Sequence, residues 1–267
     1  MILLLLACTQ APPPPPPPQA PVVEAVAQDP DPVEIAAPPA PEIPFQAQRS
    51  AVPEGFTPLG SIPGIEFSIG YHRADNFTGA PLPGYGVPDA WLLDAPAEAL
   101  KQVQLDLAPR GLGLLIYDAY RPVRATLGMV AWAERSGNTR LLDEGYVARR
   151  SGHNHGHTVD LTLIALETGA PLDMGTPWDS FSEDAHTANA AGAVAEHRKL
   201  LVDAMAARGF RNYSKEWWHF SYKMEGTTPR DVPYACFEPA EAAWTAPEGW
   251  STAGWTPPAA WTPTPCE

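Results

Sequence analysis

Apolar and polar residues alternate along Ile-Glu-Phe-Ser-Ile-Gly-Tyr at residues 65–71, the period-two pattern of a half-buried strand. Two turn-rich stretches follow, Asn-Phe-Thr-Gly at 76–79 and Pro-Gly-Tyr-Gly at 83–86. Asp94 is placed to cap a helix running to about residue 108, with Pro96 in its first turn and Leu100, Val103 and Leu107 on one face. Gly111 ends it, and the apolar run 112–117 predicts a strand that delivers Asp118 to Arg121 at its carboxyl end. Pro122 opens a second helix whose Leu127, Val130 and Ala131 point inward. Residues 159–164 predict a strand, 188–208 the longest helix, stopped by Gly209, and 217–223 the last strand. Strands and helices mix rather than alternate strictly, which predicts a single α+β domain with a mostly antiparallel sheet packed by helices.

Composition confines that domain. Of the 33 prolines, 15 fall at or before Pro53 and 8 at or after Pro229, leaving 10 in residues 54–228, where a packed core must sit. The formal net charge is -14, yet residues 50–230 hold 21 acids against 16 bases, so most of the acidity belongs to the flanks. A weakly acidic domain with no basic stripe offers no electrostatic footprint for nucleic acid, and nothing in the pattern implies a protein partner.

The flanks have their own character. Residues 1–8, an apolar run closing on Leu-Ala-Cys, resemble the end of a lipoprotein export signal in which Cys8 becomes the lipidated first residue. The run lacks a basic leading segment and is far too short to span a bilayer. Residues 9–53 form a linker rich in Pro and Ala, with seven consecutive prolines at 12–18, expected to behave as a stiff tether of roughly 3 Å per residue. The expected setting is therefore the cell envelope, lipid-anchored to a membrane, with a cytoplasmic protein as the alternative. Residues 229–267 form a Pro/Trp-rich tail with tryptophans at 244, 250, 255 and 261, a spacing that suits neither a strand nor a helix face. Cys236 and Cys266 bracket this tail and could pair in an oxidising compartment.

The chemistry concentrates in residues 151–163, Ser-Gly-His-Asn-His-Gly-His-Thr-Val-Asp-Leu-Thr-Leu, which holds three of the seven histidines and a carboxylate. Imidazole and carboxylate groups suit a borderline-soft divalent ion, and a catalytic zinc takes three protein ligands and keeps one position open. His153 and Asp160, with Gly156 between them to turn the chain, supply two ligands, and His219 supplies a third from another strand. Glu216 is the candidate base for a metal-activated water. Because strand residues three apart point to opposite faces, Glu216 has to lie in a bend. His153, His155 and His157 would share a face of an extended segment, so a ligand set drawing two of these three is the alternative; otherwise His155 and His157 are surface or supporting residues. Arg121, fixed between an apolar strand and a helix-opening proline, is a candidate oxyanion donor and a candidate partner for Asp118.

Together, Asp118-x-Tyr-Arg121-Pro, Ser151-x-His153-x-x-Gly156-x-x-x-Asp160-Leu-Thr-Leu and Glu216-Trp-Trp-His219 resemble the zinc D-alanyl-D-alanine dipeptidases of the VanX type. That group shares its fold with D-alanyl-D-alanine carboxypeptidases and the Hedgehog signalling domain. The similarity runs from about Tyr71 to Phe220, through Asp75-Asn-Phe-Thr-Gly79 and Pro83-Gly-Tyr85. It implies one zinc on His153, Asp160 and His219, Glu216 as general base and Arg121 as transition-state stabiliser. It also implies that Asp179, in Met174-Gly-Thr-Pro-Trp178-Asp179, receives the ammonium of a small peptide substrate, and that Tyr71 and Ser151 line the pocket. His155 stands where the family has a basic residue and His157 where it has a small one, and the family's familiar members are cytoplasmic. The function so implied is hydrolysis of free D-alanyl-D-alanine in cell-wall peptide turnover. A D,D- or L,D-carboxypeptidase acting on peptidoglycan stem peptides is the near alternative, and a non-catalytic zinc-containing wall-binding module the more distant one.

Overall fold

The computed structural model describes residues 48–236. The leader at 1–8, most of the linker, Cys266 and the tryptophans of the tail lie outside the described residues. In chain order the elements are β1 (Gln48–Arg49), β2 (Phe56–Pro58), β3 (Ile65–Phe67), β4 (Trp91–Leu93), α1 (Asp94–Leu107), β5 (Leu112–Asp118), α2 (Val123–Arg135), α3 (Arg140–Asp143), β6 (Thr158–Ala165), α4 (Gly192–Ala206), β7 (Phe210–Asn212), β8 (His219–Tyr222) and β9 (Ala235–Cys236). A five-stranded sheet in the order β3-β5-β6-β8-β7 is antiparallel except for the β3–β5 pair. The α+β expectation holds.

β6 is the spine of this sheet. Seven of its eight residues are buried, as expected for a strand covered on both faces. Val159, Leu161 and Leu163 alternate with Asp160 and Thr162, so one face carries apolar packing while the other carries the first polar group of the site. Register then sets a row of chemistry across three neighbouring strands: Asp118 pairs with Asp160, and Asp160 with His219. A bulge between Ile116 and Asp118 re-aims the end of β5 toward that row. α1 and α4 pack on each other and on the sheet, with Leu100, Val103 and Leu107 buried as their spacing predicts.

Several elements depart from the sequence expectations. Asp94 is the first helical residue, not the cap, and its carboxylate accepts from the Thr57 hydroxyl at 2.7 Å. The strand expected over 65–71 stops at Phe67. Residues 70–72 form a 3₁₀ turn that passes against the Trp178 indole, where a Cβ on Gly70 would lie 2.2 Å from the ring, and Tyr71 of that turn is buried. The helix expected from 188 starts at Gly192, and the carbonyls of His186 and Asn189 just before it accept from Arg198. The last strand begins at His219, because Glu216 to Trp218 form a turn.

The domain bounds expected at 54 and 228 both fall inside the fold. Gln48–Arg49 pairs with Ala235–Cys236, and Tyr234 is fully buried against Trp91, Tyr85 and Tyr120. Asp231 forms a buried ion pair with Arg124 at 2.9 Å. The segment just past residue 228 is thus a clasp over the start of α2.

Candidate metal centre and its cavity

His153 sits in a 3₁₀ turn, residues 152–155, at the start of β6. Ser151 caps that turn: its hydroxyl accepts the His153 N–H at 3.3 Å, and Asn154 Oδ1 accepts the Ser151 N–H at 3.4 Å. Gly156 closes the turn at φ 77°, and a Cβ there would lie 2.4 Å from the Phe56 ring, so this position requires glycine twice over. The turn is stitched to the β5–α2 corner. The Arg121 N–H donates to the His153 carbonyl at 3.1 Å, and Asn154 Nδ2 donates to the Arg121 carbonyl at 2.8 Å and to Thr126 Oγ1 at 2.9 Å. The 3₁₀ conformation separates the histidines that an extended segment would have aligned. His155 instead meets Thr227 Oγ1 at 3.0 Å, and His157 meets Thr158.

His153, Asp160 and His219 converge. Nε2 of His153 lies 3.3 Å from Asp160 Oδ1, Nδ1 of His219 lies 3.0 Å from the same oxygen, and the two nitrogens are 3.3 Å apart. A tetrahedral ion with bonds of roughly 2 Å separates its ligands by about 3.3 Å, so this triangle matches a zinc-sized ion. Asp160 Oδ1 is buried and receives no well-directed hydrogen bond, which is what a carboxylate oxygen facing a cation does. His153 Nδ1 donates to the Ala119 carbonyl at 2.7 Å, which fixes the tautomer and leaves Nε2 as a lone-pair donor toward the triangle. Burial lowers the pKa of His219 and keeps it neutral, as ligation requires. Burial works against the charge of Asp160, but His153 and His219 outweigh it and hold the carboxyl below the usual range. The residues present therefore fit a divalent metal, and no other group of three such side chains arises among the described residues.

Glu216 lies in the bend between β7 and β8, as its spacing from His219 demands. Its N–H donates to the Tyr213 carbonyl at 3.0 Å, its carbonyl accepts the His219 N–H at 3.3 Å, and Oε2 sits 3.5 Å from His219 Nδ1. Burial, then the charges of Asp160 and Asp179, push its carboxyl well above the ordinary glutamate value. A carboxyl so placed can take up and release a proton beside the centre.

Arg121 is buried, and the pairing with Asp118 weighed from the sequence is present. Nε and Nη2 meet Asp118 Oδ2 at 2.9 and 2.8 Å, Nη1 meets Met129 Sδ at 3.4 Å, and the guanidinium carbon stands 5.1 Å over the Tyr71 ring. Its Nη2 is 3.9 Å from Asp160 Oδ2. Across the cavity the Tyr71 hydroxyl donates to Asp179 Oδ2 at 2.9 Å. Asp179 has φ 59°, the one non-glycine in the left-handed region among the described residues, and burial followed by the charge of Asp160 raises its carboxyl well above normal. The eight residues to which the resemblance assigns a role, His153, Asp160, His219, Glu216, Arg121, Asp179, Tyr71 and Ser151, line one cavity of about 370 Å³, whereas His155 and His157 are not in its lining.

Sequence reasoning missed the rest of the frame. Asn212 donates to the Glu216 and His219 carbonyls at 3.0 and 3.1 Å, Tyr85 donates to Asp118, and Phe77, Tyr146, Phe181 and Tyr213 form an aromatic rim. Asn212 stands only four and seven residues from its acceptors but belongs to no recognisable motif, and Tyr85 meets a carboxylate 33 residues away.

Three metal-type donors beside a buried carboxyl and a fixed cation, on an α+β sheet, define the class as a metallohydrolase. A family comparison narrows it: the profile described as D-ala-D-ala dipeptidase matches residues 54–239, and the chain belongs to that peptidase family. A D-alanyl-D-alanine dipeptidase of Enterococcus faecium is 36% identical over 198 residues, 67% of this chain and 94% of that protein. One from Enterococcus faecalis is 37% identical over 172 residues, 59% of this chain and 85% of that protein. One from Escherichia coli is 34% identical over 182 residues, covering 66% and 88%.

Proposed function

We propose that this chain is a zinc-dependent dipeptidase that hydrolyses free D-alanyl-D-alanine, with one zinc held by His153, Asp160 and His219. The reading rests above all on the 3.0–3.3 Å triangle of donor atoms with Glu216 at its edge. The chain's similarity to D-alanyl-D-alanine dipeptidases supports the substrate. A zinc ion held there supplies Lewis acidity to the scissile carbonyl and to water. Glu216 takes the proton of the attacking water and passes it to the leaving amine nitrogen. Arg121, braced by Asp118, donates to the oxygen that becomes negative, an interaction worth about 3 kcal/mol. Asp179 receives the substrate ammonium while the Tyr71 hydroxyl holds its carboxylate in place. Ser151 contributes by capping the turn that carries His153. The capture of a free ammonium is what selects a dipeptide over the interior of a longer chain.

The test supplies zinc-loaded protein with D-Ala-D-Ala and with a stem pentapeptide ending in the same pair. Release of free alanine from the dipeptide, with the pentapeptide left intact, is expected; cleavage of the pentapeptide alone would move the assignment to a carboxypeptidase. Glu216→Ala is expected to lose about 10²–10⁴ in kcat. Lipidation at Cys8 and an envelope location belong to the same proposal, supported by Leu-Ala-Cys8 and the proline-rich spacer. A Cys8→Ser variant that stayed with the membrane fraction would count against them.

A further inference from the structure

Asp179 stands in the segment between β6 and α4, whose regular structure among the described residues is a single 3₁₀ turn at Glu183–Ala185. A carboxylate in a left-handed backbone conformation on such a segment keeps its position only if something outside the segment holds it. One side chain reaches both flanks. Arg198, on the inner face of α4 and 2% exposed, donates Nε and Nη2 to the Met174 carbonyl at 2.9 and 2.6 Å. It donates Nη2 to the Asp184 carbonyl at 2.9 Å, and Nη1 to the His186 carbonyl at 2.7 Å and the Asn189 carbonyl at 3.4 Å. Gly175 makes this approach feasible, since a Cβ there would lie 2.9 Å from Val194 and 3.3 Å from Arg198 Nη2.

The same segment is tied to the turn bearing Glu216. The Trp217 N–H donates to the Ala185 carbonyl at 3.1 Å, and the Thr187 N–H donates to the Ser214 carbonyl at 2.9 Å. A buried guanidinium ordinarily seeks a carboxylate, yet each of these five hydrogen bonds ends on a main-chain carbonyl on one side or the other of Asp179. The rigid fork of Arg supplies several directed donors at once, which Lys cannot do.

We propose that Arg198 is a positioning residue for substrate selection: it gathers the carbonyls flanking Asp179 and so sets where the carboxylate that meets the substrate ammonium stands. The inference rests on the role given to Asp179 above. It requires that loss of the fork damage recognition of a free amino terminus more than it damages hydrolysis itself.

The experiment measures kcat/KM for D-Ala-D-Ala and for N-acetyl-D-Ala-D-Ala with zinc-loaded parent, Arg198→Lys and Arg198→Ala, with zinc content and thermal melting recorded alongside. The parent is expected to prefer the free dipeptide strongly. In Arg198→Lys that preference should fall by roughly tenfold to a hundredfold, through KM, because displacement by about an ångström has effects of that size. Millimolar guanidinium should restore the preference in Arg198→Ala. Equal losses on both substrates, or an unchanged ratio in Arg198→Lys, would overturn the inference while leaving the role of Asp179 intact. A parent that does not distinguish the two substrates would remove the role of Asp179 and the inference with it.

Discussion

Replacing Asp118 by Asn separates the structural task of the Asp118–Arg121 pair from its catalytic one. The Asp118 carboxylate is fully buried and takes donors from every side: Arg121 Nε at 2.9 Å and Nη2 at 2.8 Å on Oδ2, with the Ala119 N–H at 2.9 Å and the Tyr85 hydroxyl on Oδ1. An amide of the same shape keeps one acceptor oxygen but sets an NH₂ group against donors on the other side. The Arg121 charge is then left buried without a close anion, over the Tyr71 ring at 5.1 Å, with Met129 Sδ at 3.4 Å and Asp160 Oδ2 at 3.9 Å. Breaking a buried pair in this way costs about 3–5 kcal/mol. A domain of this size melts about 2–4 °C lower per kcal/mol, so a fall of roughly 6–20 °C is expected. Activity should drop as well, by about 10²–10³ in kcat, because an unbraced guanidinium no longer serves as a fixed oxyanion donor.

The double variant Asp118→Asn with Arg121→Met sharpens the test. Removing both charges takes away the unpaired group, so most of the lost melting temperature should return. The rate should not, since the oxyanion donor is still missing. Melting by circular dichroism and turnover of D-Ala-D-Ala, each on protein of verified zinc content, read the two effects separately. A single variant that melts within about 2 °C of the parent, or a double variant that recovers turnover along with stability, would refute the reasoning.

Other expectations follow from the same geometry. Asp160→Asn should lower bound zinc well below one per chain by elemental analysis, while His155→Ala and His157→Ala should leave it unchanged; loss of zinc in either histidine variant would restore the alternative ligand set. A chain ending at residue 228 lacks the Asp231–Arg124 pair and the buried Tyr234, and should lose about 3 kcal/mol or more in a denaturant titration. The Asp179 carboxyl is raised by burial, so its contribution to stability is fully present below the unfolded value and is lost as the pH rises through the folded one. In metal-free protein, Asp179→Asn should therefore melt above the parent at neutral pH, with the gap closing as the medium is acidified; a gap independent of pH would contradict this.

The legible parts of the fold were those whose cause lies within a few residues. The spacing of Leu100, Val103 and Leu107 and the apolar run ending at Asp118 each carry their own period, and those elements appeared almost as expected. The short strands β2 and β4 have three residues each, too few to show an alternation, and exist because they pair with each other across more than thirty residues, while the three-residue β7 is held by its hairpin with β8. The clasp past residue 228 was hidden for a different reason. Its prolines read as tail, while its stability comes from one aspartate and one tyrosine meeting groups more than a hundred residues away.

The site divides along the same line, and the division says something about how it is built. Metal donors and a base must converge within a few ångströms, and here two short stretches, 153–160 and 216–219, carry all the candidates, so residue type pointed to the place while spacing alone left His155 and His157 open as ligands. What keeps them there is spread over the chain: Asn154 joins the His153 turn to the Arg121 corner, Asn212 holds the bend of Glu216, and Arg198 gathers the segment bearing Asp179. Each of these satisfies main-chain carbonyls that a regular element would have satisfied by itself. Those three polar side chains are what allow Arg121, Glu216 and Asp179 to stand on irregular backbone outside the strands, where they can be aimed into one cavity. Their removal should therefore cost selectivity and rate at temperatures where the sheet is still folded.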